Sequence, residues 1–159
     1  MTAPDHHAFM REAARLAREN VGNGLGGPFG AVITRDGEII GRGTNLVTSS
    51  NDPTAHAEVT AIRHACRELK SFSLLGCEIY TSCEPCPMCL AAIYWARLDR
   101  IFFANSRKDA ARIGFDDDHL YREMTLTLEE RSTPIVPLSS EEAVASFEAW
   151  TAKSDKIPY

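Results

Sequence analysis

The chain has 159 residues, with 17 lysines and arginines against 22 aspartates and glutamates, a formal charge of −5. That length predicts one domain, 1–159, able to bury a core without disulfides, and the acidic balance argues against a broad nucleic-acid-binding surface. Five cysteines, three of them crowded into one short motif, and no apolar run near the ~20 residues of a membrane span predict a reduced, cytoplasmic protein with no membrane partner.

From Asp5 onward, Phe9, Ala13, Leu16 and Ala17 recur on one helical face, with Arg11, Glu12, Arg15, Arg18 and Glu19 outside it. This predicts an amphipathic helix ending near Gly22 and Gly24. Gly26 to Gly30 breaks regular structure and leads into a β-rich run at 31–34. Asp36-Gly37 reads as a hairpin turn, with residues 38–45 returning antiparallel. The next helix is expected to start at Asp52, as cap, and Pro53, with Val59, Ile62, Cys66 and Leu69 inward. His56 and Glu58 lie about 200° apart on an ideal helix, so they can reach one site together only from the helix mouth.

Residues 77–82 read as a strand and 86–97 as a helix that is apolar nearly all round, hence buried on most sides. Residues 101–104 read as a strand covered on both faces and parallel to its predecessor. An irregular stretch through Gly114 precedes a short helix at 119–124. Residues 133–137 read as a last, edge-type strand. Ser139 with Glu142 forms a capping-box pattern opening a helix with Ala143, Phe147 and Trp150 inward. This order predicts an α/β fold, a three-layer α/β/α sandwich around a mixed five-stranded sheet. His6, His7, His64 and His119 are read as ordinary surface or helix residues.

The chemistry concentrates in His56-Ala-Glu58 and in Thr81-Ser-Cys-Glu-Pro-Cys-Pro-Met-Cys89. If Pro85 or Pro87 opens a helix, Cys86 and Cys89 project from one side of its first turn, where the helix N-terminus favours thiolate. His56 would complete a His/Cys/Cys set for one Zn²⁺ per chain, and a catalytic zinc with three protein ligands keeps its fourth position for water. Glu58 is then the carboxylate that takes the water's proton and delivers it to substrate. His-x-Glu followed by Pro-Cys-x-x-Cys is a known signature of zinc-dependent deaminases. The bland alternative is a closed structural site with Cys83 as fourth ligand, which would leave Glu58 without a role. Cys83 is expected instead to be a small buried residue at a strand end.

Gly26-Gly-Pro-Phe-Gly-Ala-Val32, TSSNDPTAHAE at 48–58, YTSCEPCPMC at 80–89, Ala92-Ile-Tyr-Trp-Ala-Arg97, Gly114-Phe-Asp-Asp117 and the C-terminal Tyr159 together resemble the cytidine-deaminase-like zinc deaminase superfamily. Within it the resemblance is to the small bacterial guanine deaminases. It implies hydrolysis of guanine to xanthine and ammonia, with His56, Cys86 and Cys89 holding zinc and Glu58 carrying protons. It also implies purine contacts from Asn45, Phe29, Trp95 and Tyr159, and help from Asp117 at the departing amine. On residues alone Asn45 is as easily a turn residue, Asp117 a helix first-turn acid and Trp95 a core residue. The resemblance further implies a homodimer in which a segment of about 139–159 is exchanged between subunits. A guanosine or aminotriazine deaminase would keep every motif quoted. A tRNA adenosine deaminase shares the zinc signature but should carry a basic surface. A non-catalytic zinc-binding interaction protein would have no use for Glu58.

Overall fold

Asp5 caps the first helix, α1 (His6–Gly22), its side chain accepting the Ala8 amide at 2.9 Å. The computed structural model describes residues 5–159, which fall into two compact units divided after Tyr121. In the first unit β1 (Gly30–Arg35) turns through Asp36-Gly37 into the antiparallel β2 (Glu38–Thr44). Both turn residues have positive φ, 52° and 82°, as a two-residue hairpin demands. A single helical turn, α2 (Val47–Ser50), and the longer α3 (Ala57–Leu69) follow. Then β3 (Cys77–Cys83) pairs antiparallel with β1. The predicted β-α-β crossover comes next: α4 (Pro87–Trp95) leads to β4 (Arg100–Asn105), parallel to β3.

The sheet order is β2-β1-β3-β4. Strand alternation sends Ala31, Ile33 and Ile79 to one face, where they meet Leu74, Ile93 and the alanines of α3 in the main core. Burying each of the larger side chains there contributes about 1.5–3 kcal/mol. Tyr80 points to the other face, under α1, stacked on Phe102 at 4.6 Å and tilted against Phe9 at 5.1 Å. His6 is no ordinary surface residue, since its Nδ1 lies 2.6 Å from the Tyr80 hydroxyl. Helices thus cover both sheet faces, the expected three layers.

Helix α3 approaches the sheet more closely than its large apolar residues would permit. Ala57, Ala61 and Ala65 form its deepest stripe, and Val59, Ile62, Cys66 and Leu69, expected inward, are only half-buried flanks. The close fit requires glycine opposite. A Cβ at Gly41 would stand 2.8 Å from the Ala61 carbonyl oxygen, and one at Gly43 would overlap the Ala57 carbonyl.

Six expectations are corrected. The sheet has four strands and not five: residues 133–137 form no strand, and Pro134 and Pro137 have no amide to give a ladder. Helix α3 starts at Ala57, because the Asp52 side chain accepts the Thr54 amide at 2.8 Å and hydroxyl at 2.7 Å, making a turn rather than a helix cap. The stretch after β4 contains α5 (Arg107–Arg112), opened by a capping box between Ser106 and Asp109. Helix α6 (Asp117–Glu123) follows nearly where expected. In the second unit α7 (Glu141–Ala152) is capped by Ser140, and none of its residues is buried, so Ala143, Phe147 and Trp150 do not face inward. Helix α4 departs from expectation the same way, with Trp95 61 % exposed, as does β4, whose Phe103 is exposed. Among the described residues no helix is long and apolar enough to cross a membrane.

Candidate active site

Two helix mouths meet beside the C-terminal end of β3. His56 is the N-cap of α3, Cys86 the N-cap of α4, and Pro87 the first residue of α4, which puts Cys89 in its first turn. Neither side chain makes the usual cap hydrogen bond of a helix start. His56 Nδ1 instead lies 3.5 Å from Sγ of Cys86 and 3.5 Å from Sγ of Cys89, and the three ligand atoms all fall within 4.8 Å of one another. Tetrahedral zinc with bonds of about 2.0 Å to nitrogen and 2.3 Å to sulfur needs an N to S separation near 3.5 Å, so the donor set fits the ion.

Of the three, Cys86 carries the charge that suits a cation. The hydrogen bond from Cys89, followed by that from His56, holds the Cys86 thiol well below its ordinary range, while Cys89 is pushed up by Cys86 and by burial. His56 is raised, first by its bond to Cys86. Unpaired amides at the start of α4 favour the thiolate further. Cys83 stands apart: its thiol donates to the Ser106 carbonyl at 3.7 Å, and burial pushes it up to about 12, so it is a neutral thiol outside the ligand group.

Glu58 sits in the first turn of α3, on the buried side of the same mouth. Its Oε1 accepts the Thr81 hydroxyl at 3.2 Å, and burial raises its proton affinity. Both His56 and Glu58 open onto a cavity of about 330 Å³ also lined by Phe29, Asn45, Cys86, Phe115 and Asp117. The Asn45 carboxamide oxygen accepts the amides of Gly27 and Val47, each at 3.3 Å, so its amide nitrogen is the donor it can offer the cavity. Phe29 and Phe115 meet edge to face, centroids 4.7 Å apart, and wall one side. Asp117 begins α6, and burial raises its proton affinity.

Seven of the nine residues expected at the site therefore line or adjoin this cavity: Phe29, Asn45, His56, Glu58, Cys86, Cys89 and Asp117. Trp95 lies at the far end of α4 and does not line it, and Tyr159 belongs to the second unit, exposed. Thr81 and Phe115 were not expected. Alternation along β3 could have found Thr81, which shares the face of Ile79, whereas Phe115 had only its neighbour Asp117 to recommend it.

A mixed sheet with helix mouths converging on a His/Cys/Cys triangle and a buried carboxylate defines the class of zinc-dependent hydrolytic deaminases. Residues 3–105 match the model of the cytidine and deoxycytidylate deaminase zinc-binding region. The chain belongs to this family, and it is a zinc-dependent aminohydrolase. It is 52% identical over 155 residues to a guanine deaminase from Bacillus subtilis (strain 168), covering 98% of this chain and 99% of that protein. The solved structure of the Bacillus subtilis guanine deaminase superimposes with a TM-score of 0.94 at 52% identity, over 98% of this chain and 99% of that one. A tRNA-specific adenosine deaminase from Aquifex aeolicus is 43% identical over 96 residues, 60% of this chain and 63% of that protein.

Proposed function

We propose that this enzyme deaminates guanine to xanthine and ammonia. The observation that carries the choice of base is the level of identity: 52% to a guanine deaminase along essentially the whole chain, against 37% to a tRNA-specific adenosine deaminase over 88% of it. Held by His56, Cys86 and Cys89, zinc supplies a Lewis acid that makes water nucleophilic near neutral pH. Glu58 would take one proton from the attacking water and pass it to a ring nitrogen as the C2–O bond forms, then take the second from the new C2 hydroxyl and pass it to the departing amine as the C2–N bond breaks and the C2 carbonyl is left. A carboxylate whose proton affinity is raised by burial is suited to holding a proton between two such transfers. Thr81 fixes the carboxylate's rotamer through Oε1. The Asn45 amide nitrogen donates to an acceptor on the purine, Phe29 lies against its ring, and Asp117 assists the amine as it leaves.

The cavity, at about 330 Å³, stands at the small end of ligand sites, which run to about 1,000 Å³. That size favours a free base over a nucleoside. We further propose that residues 1–159 form one catalytic domain acting as a homodimer, with segment 139–159 exchanged so that Tyr159 of one copy, together with Trp95, completes a purine site across the interface. Support comes from apolar side chains exposed within each unit, Tyr94, Trp95 and Phe103 in the first and Phe147 and Trp150 in the second. The second reading is adenosine deamination in tRNA, favoured by the 43% identity over 96 residues and opposed by the charge of −5.

The test is ammonia release from guanine, guanosine, cytidine, adenine, ammeline and a tRNA anticodon stem-loop, with sedimentation of the parent protein. Guanine should give the highest kcat/KM and the protein should sediment as a dimer. A higher kcat/KM on guanosine or on the stem-loop would move the assignment to that substrate, and a monomer that works on guanine would remove the exchange.

A further inference from the structure

Tyr121 closes a ring of contacts that no step so far uses. Its hydroxyl donates to the carbonyl of Pro85 at 2.7 Å, the residue immediately before the metal-site Cys86. Its aromatic ring lies under the Arg107 guanidinium, 4.5 Å from the centroid. The Arg107 amide in turn donates to Glu84 Oε2 at 2.9 Å, and the Glu84 amide donates to the Asn105 carbonyl at 2.8 Å. The circuit Pro85, Tyr121, Arg107, Glu84 therefore returns to the neighbour of its starting residue, and it joins three elements: the loop before α4, the start of α5 and α6.

One turn before Tyr121 on α6 stands Asp117. Residues four apart lie on the same helix face, so the face of α6 held to Pro85 is the face that presents Asp117 to the cavity. Helix α6 has seven residues, too few to hold a fixed position on its own. A cation stacked on an aromatic face and a hydrogen bond to a buried loop carbonyl supply what its length does not.

We propose that Tyr121 is a positioning residue: by tying α6 to the loop that carries Cys86, it sets the distance between Asp117 and the reacting amine. The inference rests on the role given to Asp117 above. Tyr121→Phe keeps the ring under Arg107 and removes only the hydroxyl, so it should fold and bind zinc as the parent does. Its kcat for guanine should fall about tenfold, the effect of losing one well-formed hydrogen bond, with KM and zinc per chain within about twofold of the parent.

The decisive comparison is in an Asp117→Asn background, assayed at raised enzyme concentration. There Tyr121→Phe should change kcat by less than about twofold, because two residues acting through one contact are not additive. A full tenfold loss in that background would show that Tyr121 merely supports the metal loop, and so would zinc content falling in step with activity. Unchanged kcat in Tyr121→Phe alone would overturn the inference while leaving Asp117 in place. Parent-like kcat in Asp117→Asn alone would instead remove the role of Asp117 itself.

Discussion

Glu58→Gln separates the chemistry of this site from its architecture. Glutamine matches the shape of glutamate and keeps an oxygen to accept the Thr81 hydroxyl now 3.2 Å from Oε1, so the mouth of α3, the cavity wall and the metal ligands should be undisturbed. What is lost is a group that can bind and release a proton. General acid–base catalysis contributes about 10²–10⁴-fold, and Glu58 is assigned both the uptake and the delivery of the proton. A loss of about 10³-fold or more in kcat is expected, equivalent to about 4 kcal/mol of barrier. Glu58 is 6 % exposed, and burying a carboxylate opposes folding, so the metal-free Gln variant should melt no lower than the metal-free parent. Ammonia release measured beside zinc analysis and thermal melting reads all three quantities. A kcat within tenfold of the parent in protein carrying one zinc per chain would refute the assignment of Glu58 as proton carrier.

Purified protein should hold about one zinc per chain, retained in Cys83→Ala and lost in Cys86→Ala or Cys89→Ala; equal loss from Cys83→Ala by elemental analysis would restore the closed four-ligand site. Gly43→Ala should cost about 2–3 kcal/mol in urea unfolding, because the new methyl meets the Ala57 carbonyl, and it should also lower activity, since Ala57 stands between His56 and Glu58. Glu12, lowered to about 2 by hydrogen bonds from Arg15 and then Arg42, contributes stability that is complete above its ordinary 4.5 and lost as pH falls from there toward 2. Glu12→Gln should therefore lower stability at pH 7 by less than about 1 kcal/mol after solvent screening, seen as a slightly lower Tm, with the gap from the parent closing in acid; a gap unchanged down to pH 2 would show that the ion pairs do not act.

Where one residue type is obligatory, the sequence was a good guide. His56, Glu58, Cys86 and Cys89 are recognisable because few side chains hold zinc or shuttle protons, and their spacing fits two helix mouths. The α1 face and the Asp36-Gly37 hairpin were legible from periodicity and turn chemistry. The misplaced start of α3 shows a local competition: Asp52 can cap a helix or close a turn on Thr54, and the composition is the same for both. Helix α5 was missed although Ser106 and Asp109 carry a capping pattern. Helices α4 and α7 taught a different lesson. Their apolar residues imply burial, but a pattern along one chain does not say whether the cover comes from that chain. Phe115 was invisible as a cavity wall because an aromatic residue in a loop has many uses.

The first amides of every helix lack partners within it, and a Ser or Asp side chain usually meets them. At α3 and α4 that position is given to His56 and Cys86, whose side chains turn away to face each other. The mouths of two helices are thus stitched by the metal-binding side chains instead of by caps. Removing the ion should leave the sheet intact and let both mouths fray, so that amide hydrogen exchange quickens at Thr60 and Leu90, which donate to the His56 and Cys86 carbonyls at 2.9 and 2.8 Å, while β1 and β3 stay protected. Exchange at these few amides would then gauge how much of a preparation is metal-loaded, a measurement that needs neither substrate nor turnover.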